Sequence, residues 1–177
     1  MYDLFVLGQL MDESMSGYLM QQILQQLVGR NRKISFGMIY PLFKRLSEAG
    51  YINLVEEQSD NGNRPKKVAS ITKEGRIRFK ELMEQVVPLN PNLEFTYSVK
   101  FRNFHQVDLK LRLKILGDYR NYLLENQNLL KQQFHDLPQT NISQPDLENA
   151  KWVIDLDQMK TKAALDWVEK ALKEFEK

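Results

Sequence analysis

Ser35-Phe-Gly-Met-Ile-Tyr-Pro-Leu-Phe-Lys-Arg-Leu-Ser-Glu-Ala-Gly50 is the stretch that decides the fold. Ile39, Leu42, Phe43 and Leu46 recur at helical spacing and form one apolar stripe, whereas Tyr40, Lys44 and Arg45 point elsewhere. Ser35 can cap this helix and Gly50 can stop it. Pro41, six positions past the cap, lacks a backbone donor, which predicts a kink there or a start later than Ser35. Upstream, Leu4, Phe5, Leu7, Leu10 and Met11 predict a helix over residues 2–11. Ser14 or Ser16 can cap a second helix bearing Tyr18, Leu19, Ile23, Leu24 and Leu27, which Gly29 ends. Downstream, Tyr51 to Glu57 alternates apolar and polar residues, Ser59 to Asn63 supplies turn chemistry, and Lys66 to Ile71 returns as a second strand. Thr72 then opens a helix carrying Ile77, Phe79, Leu82, Met83 and Val86, with Gly75 weakening its first turn. Three helices followed by a hairpin outline a winged helix, a helix-turn-helix variant whose third helix enters the major groove of DNA.

Charge is distributed to match. The 177 residues carry 25 Lys+Arg against 23 Asp+Glu, yet Arg30 to Lys80 holds twelve basic and five acidic residues, a local net charge of +7. Pro88 to Lys177 holds thirteen of each and is neutral, and the change falls at the Pro88-Leu-Asn-Pro91-Asn cluster. The expected division is therefore a winged-helix DNA-binding domain over 1–87 and a helical domain over 88–177. With no Cys and two His there is no disulfide framework, thiolate metal site or Cys nucleophile, so neither a metal nor a cofactor is expected. No basic n-region with an apolar h-region opens the chain and no apolar run approaches a membrane span, so the reading is a soluble, cytoplasmic protein that engages no membrane. No nucleophile with a base and no phosphate loop is present, and an enzyme is not expected.

In the second half, Leu109, Leu113, Leu116, Arg120, Leu123, Gln127, Leu130, Phe134 and Leu137 step alternately by four and three, a heptad seam interrupted at Arg120 and Gln127. A helix over about 106–137 is too long for so small a domain to bury alone. Its expected partner is the stretch after Pro145, where Leu147, Ala150, Ile154, Thr161, Ala164, Val168 and Phe175 lie near one face, with Trp152 and Trp167 close to it. Apolar surface remains, which predicts coiled-coil packing against a second copy, with Leu109, Leu113, Leu116, Leu123, Leu130, Phe134, Val168 and Leu172 as the dimerisation set. The expected fold is thus mainly α with a small β-hairpin wing, an N-terminal winged helix-turn-helix followed by a long-helix dimerisation domain.

Basic residues surround the proposed recognition helix. Arg30, Arg32 and Lys33 precede it, Lys44 and Arg45 lie on it, and Arg64, Lys66 and Lys67 sit at the hairpin tip, placed to neutralise phosphates beside a groove. Tyr18, Ser35 and Tyr40 add hydroxyl donors, and Ser35, Phe36, Met38 and Tyr40 are the candidates for base contacts. Any one of these cations by itself is an ordinary solvated charge; their joint placement carries the reading. These residues resemble the PadR transcriptional regulators. The likeness is carried by Leu4-Phe-Val-Leu-Gly-Gln-Leu10, Ser16-Gly-Tyr18, the Ser35–Gly50 stretch and Asn63-Arg-Pro-Lys-Lys-Val-Ala-Ser-Ile-Thr-Lys-Glu-Gly75. Gly37, Tyr40, Pro41, Lys44 and Leu46 fall where the family's recognition-helix pattern has its small, Tyr-Pro, basic and Leu positions, and Arg64, Pro65 and Lys66 match its wing. The resemblance implies that Tyr40 and Lys44 touch DNA. Asn63 stands where the family more often has Gly, and Ser16 where it often has His.

The second half resembles, more weakly, the longer PadR subfamily, whose last helix the Ala164–Ala171 stretch is similar to. The resemblance implies a homodimeric repressor bound to a near-palindromic operator in double-stranded promoter DNA and released by a small aromatic or drug-like effector; some relatives are activators. Trp152 and Trp167 are the candidate effector contacts, although Trp at helical spacing usually packs. His105 and His135 are read as structural, the latter at a helix C-terminus where a partly charged ring suits the dipole. The rival reading is a winged-helix protein-interaction module with no specific DNA binding.

Overall fold

A computed structural model describes residues 1–31, 33–57 and 66–175 of the chain. Residues 1–108 form one compact unit and 109–177 another. In the first, α1 (Tyr2–Asp12) is followed by the two-residue strand β1 (Met15–Ser16), α2 (Gly17–Val28), α3 (Phe36–Glu48), β2 (Ile52–Glu57), β3 (Lys66–Ile71), α4 (Lys73–Glu84) and α5 (Leu93–Arg102). The second is a pair of long helices, α6 (Leu109–Asp136) and α7 (Gln144–Phe175). The mainly helical fold with a small wing is as the sequence predicts. Among the described residues no helix is long and apolar enough to cross a membrane.

Burial of apolar side chains holds the first unit together. Phe5, Leu7 and Leu10 of α1 join Met20 and Leu24 of α2, Ile39, Phe43 and Leu46 of α3, and Phe79 and Met83 of α4 in one core from which water is excluded. The stripe on α3 is therefore the inward face its spacing predicts. Ser16 is the cap of α2, its hydroxyl accepting from the Leu19 N–H at 3.3 Å, and Gly29 ends that helix at φ +66°. Ser35 stands at the N-cap of α3, and the helix runs from Phe36 through Pro41, so its start is not delayed. The sheet order is β1-β3-β2 with antiparallel pairing, Ile52 opposite Ile71 and Glu57 opposite Lys66. Strand β1, pairing Met15 with Ala69, is an addition that two residues of sequence do not announce.

Thr72 ties the start of α4 to the end of α3. Its hydroxyl accepts from the Gly75 N–H at 3.0 Å and donates to the Gly50 carbonyl at 2.7 Å, while its own N–H donates to the Tyr51 carbonyl at 3.1 Å. Gly50 adopts φ +74°, where a side chain is strained. Gly75 is the closer constraint: a Cβ there would lie 2.0 Å from the Tyr51 carbonyl oxygen, a contact only glycine avoids. The glycine that sequence reading counts as a weak point of α4 is what lets the helix seat.

Residues 88–108, which the sequence reading assigns to the second domain, lie in the first unit. Sequence reading did not identify α5. Its Lys100 ammonium, 3% exposed, donates to the Met83 carbonyl at 2.8 Å and to that of Gln85, satisfying the end of α4. Just past α5, buried Asn103 donates through Nδ2 to Val99 O at 2.8 Å and lies so close to Gly8 that a Cβ on α1 would collide with its amide.

In the second unit α6 and α7 run antiparallel. Arg120 pairs with Glu169, the Asn126 amide donates to the Thr161 hydroxyl at 3.0 Å, and the Gln158 amide donates to Leu130 O at 3.4 Å, so partners climb one helix as they descend the other. Ile115, Leu116, Tyr119, Leu123 and Leu130 are buried with Thr161, Leu165 and Val168. The interruption of the seam at Arg120 is an ion pair between the helices. Of the expected dimerisation set, Leu116, Leu123, Leu130 and Val168 are thus covered inside one chain, Leu113 and Leu172 are half-buried, and Leu109 and Phe134 are exposed. Trp152 is 81% exposed and Trp167 47%, so both lie away from the face they were expected to flank.

Replacing Gly75 with Ala tests the close approach. Helix propensity alone would make Gly75→Ala stabilising by about 1 kcal/mol. The contact with Tyr51 reverses the sign, and urea denaturation is expected to show a loss of about 1–3 kcal/mol; a gain would refute the packing described.

Candidate nucleic-acid interface

The outward face of α3 follows from its inward one. With Ile39, Leu42, Phe43 and Leu46 buried, Gly37, Tyr40, Pro41 and Lys44 are left in solvent at spacings of three, one and three, a single stripe over two turns. Beside it, a groove of about 550 Å³ between α3 and the β2–β3 hairpin is lined by Tyr40, Pro41, Phe43, Lys44, Leu54 and Lys67. A phenolic hydroxyl and two ammonium groups on apolar walls suit an extended polyanion. Tyr40 is held over Gly17, where a Cβ would sit 3.4 Å from its ring. Tyr18, 58% exposed one residue into α2, accepts a hydrogen bond from the Gln22 amide at 3.0 Å.

The remaining predicted positions are placed as follows. Ser35 and Gly37 are exposed at the start of α3. Met38 is half-buried and lines a different cavity, with Met1, Tyr2, Asp3, Pro41, Leu42 and Arg45, on the side of α3 that faces α1. Phe36 is the first residue of α3. Arg30 and Lys33 are exposed before the helix, and Lys66 is exposed at the start of β3. Arg32, Arg64 and Pro65 lie outside the described residues.

Adjacent cations on α3 have different surroundings. Arg45 forms a bidentate pair with Asp3 of α1, Nη1 donating to Oδ2 at 2.9 Å and Nη2 to Oδ1. Hydrogen bonding to Asp3, opposed by partial burial and assisted by the carboxylate charge, raises the pKa of Arg45 above its ordinary value. Planar fork-to-fork geometry fixes orientation as well as charge, so Arg45 sets the seat of α3 against α1. Lys44 points into solvent with Glu48 at 3.7 Å one turn on. On the hairpin, the register sets Lys66 opposite Glu57 at 3.5 Å and Lys67 opposite Glu56 at 3.7 Å. Sequence reading missed the Arg45–Asp3 pair, which spans 42 positions with no local signal, and assigned the acids of β2 no role. His105 lies 3.0 Å from an oxygen of Asp12, at the end of α1. Among the described residues no group of acidic and His side chains could hold a metal ion.

Residues 6–81 match the transcriptional regulator PadR-like family. No curated protein matches the chain. Among solved structures, Bacillus subtilis PadR in complex with operator DNA is similar at 18% identity, covering 98% of each chain with a TM-score of 0.47. The same protein in complex with p-coumaric acid is similar at 17% identity, covering 99% of this chain and 95% of that one with a TM-score of 0.42. A PadR-like transcriptional regulator from Bacillus cereus is similar at 24% identity, covering 98% of this chain and 97% of that one with a TM-score of 0.39. Residues 6–81, which hold α3 and the strands beside it, are therefore the part of the chain that matches the PadR-like family, a family of transcriptional regulators.

Proposed function

We propose that the protein is a homodimeric, sequence-specific DNA-binding repressor. The observation that carries this is the groove in which Tyr40, Lys44 and Lys67 converge beside the exposed face of α3, within the region of net charge +7. In this reading α3 enters a major groove, Tyr18, Lys44, Arg64 and Lys66 hold phosphates and fix register, and Ser35, Gly37 and Tyr40 stand nearest the base edges. The same contacts serve an activator; the position of the operator relative to the promoter decides the sign. The division of labour at residue 88 is part of the proposal, DNA binding resting on 1–87 and assembly on 88–177.

The second copy is supported by a face of α7. Trp152, Leu156, Met159 and Trp167 follow at four, three and eight positions, on one side of the helix, with exposures of 81, 53, 65 and 47%. Aromatic and Met side chains in a row at this exposure are the composition of an interface core. Leu109 and Phe134 of α6, 48 and 43% exposed, extend the apolar surface offered to a second copy. Closed two-fold association then presents two recognition helices to half-sites about 34 Å apart, or a multiple of that. Charging the face in Leu156→Glu/Met159→Glu is expected to turn the dimer into a monomer in sedimentation velocity; an unchanged sedimentation coefficient would remove this face from the interface.

A small aromatic effector is the remaining part of the reading. A cavity of about 460 Å³ lined by Leu129, Gln132, Gln133, Asp136, Leu137, Thr140 and Ile154 lies where α6 turns into α7, of a size and polarity that suit such a molecule. Neither Trp lines it, so effector contacts by Trp152 and Trp167 belong to a different surface. To release DNA an effector must favour one conformation over another. Isothermal titration with phenolic acids and drug-like aromatics is expected to give heat and to lower operator affinity; no heat across the panel would make the regulator constitutive.

The direct test of DNA binding is fluorescence anisotropy on the fragment upstream of the protein's own gene against a scrambled duplex. Selectivity of about 10³ or more is expected, and Lys44→Ala should weaken both complexes and reduce the salt slope by about 1. Equal, weak binding to both duplexes would favour the interaction module.

A further inference from the structure

We propose that Glu48, Glu56 and Glu57 are built-in competitors for phosphate that hold down sequence-independent DNA binding. The proposal rests on the DNA-binding reading above. Among the described residues, three cations lining or bordering the α3–wing face are each matched by one of these carboxylates: Lys44 with Glu48 at 3.7 Å, Lys66 with Glu57 at 3.5 Å, and Lys67 with Glu56 at 3.7 Å. The matching is set by backbone geometry. Glu48 follows Lys44 by one helical turn, and the antiparallel register places Glu56 opposite Lys67 and Glu57 opposite Lys66.

Stability is a poor account of this arrangement. All six side chains are at least half exposed, and exposed pairs of that kind add little to stability. On a face meant for a polyanion, a carboxylate also repels what the neighbouring lysine attracts. Three such carboxylates at the groove therefore reduce the long-range attraction that would capture any duplex. Sequence-independent binding is essentially all electrostatic, so it suffers most of all. A correctly seated complex has base contacts to set against the cost of drawing each lysine from its carboxylate. The contrast with Arg45 is informative: that pair is bidentate and joins two helices, whereas these three are single contacts within one helix or one hairpin.

Glu→Gln replacement removes the charge and keeps the shape. Binding of a scrambled duplex by the full-length protein is measured by anisotropy at about 50 and 200 mM salt, for Glu48→Gln, for Glu56→Gln/Glu57→Gln and for all three together. One charge about 10 Å from a phosphate in water alters binding roughly twofold, so the triple variant is expected to bind scrambled DNA up to about eightfold more tightly at low salt, with a steeper salt dependence. Glu148→Gln, on exposed α7 of the other unit, serves as the control for overall net charge. An unchanged affinity, or a gain no larger than the summed effect of as many charges at the control position, would overturn the proposal. The readout uses scrambled DNA alone, so it stands apart from the regulator reading, which fails instead if wild-type protein does not prefer the upstream fragment.

Discussion

The approach of Gly75 to the Tyr51 carbonyl is the contact on which the geometry of the winged half depends. It allows α4 to start directly against the turn that ends α3 and begins β2, and Thr72 bonds to both sides of that turn. Strand β2 starts at Ile52, directly after that turn. The groove is bounded on its two sides by the elements the turn joins, Tyr40 and Lys44 on the helix and Leu54 and Lys67 on the hairpin. A binding surface made from two elements needs such a tie, since a loosely hinged wing would place its cations at variable distances from the helix.

Two neighbouring cations on α3 show how placement divides the work of identical charges. Arg45 is turned toward α1 and locked by Asp3, so it fixes the helix; Lys44, one position earlier, is turned toward the groove and holds only a single contact with Glu48. A count of basic residues treats them alike. The twelve basic residues of that region therefore overstate what the surface offers a polyanion, because Lys44, Lys66 and Lys67 each sit within 4 Å of a carboxylate that the net charge of +7 already counts.

The winged half was legible in the sequence because its signals are local. Helical spacing marks the buried stripe of α3, Thr72 and Ser16 cap the helices they were expected to cap, and alternation marks β2. Strand β1 is two residues long and carries no period, and α5 was hidden because its apolar residues, Leu93, Tyr97 and Val99, lie among polar ones while its buried polar end, Lys100, reads as a surface residue. The seam of α6 was visible, but a seam does not say which helix fills it; Leu116, Leu123 and Leu130 meet α7 of the same chain, and Trp152 and Leu156 are the residues left outside. Of the candidate site, the outward stripe Gly37, Tyr40 and Lys44 was readable from the inward one. The Arg45–Asp3 pair was not, because nothing in sequence links residues 42 positions apart.

Ethylation interference on the DNA upstream of the protein's own gene tests most directly whether α3 and the wing together form the reading surface. The account predicts two clusters of essential phosphates on one face of the duplex, each flanking a major groove and separated by about 34 Å or a multiple, with the signal of one phosphate in each cluster lost in Lys44→Ala. Protection scattered along the duplex without such clusters, or clusters unaffected by Lys44→Ala, would contradict it.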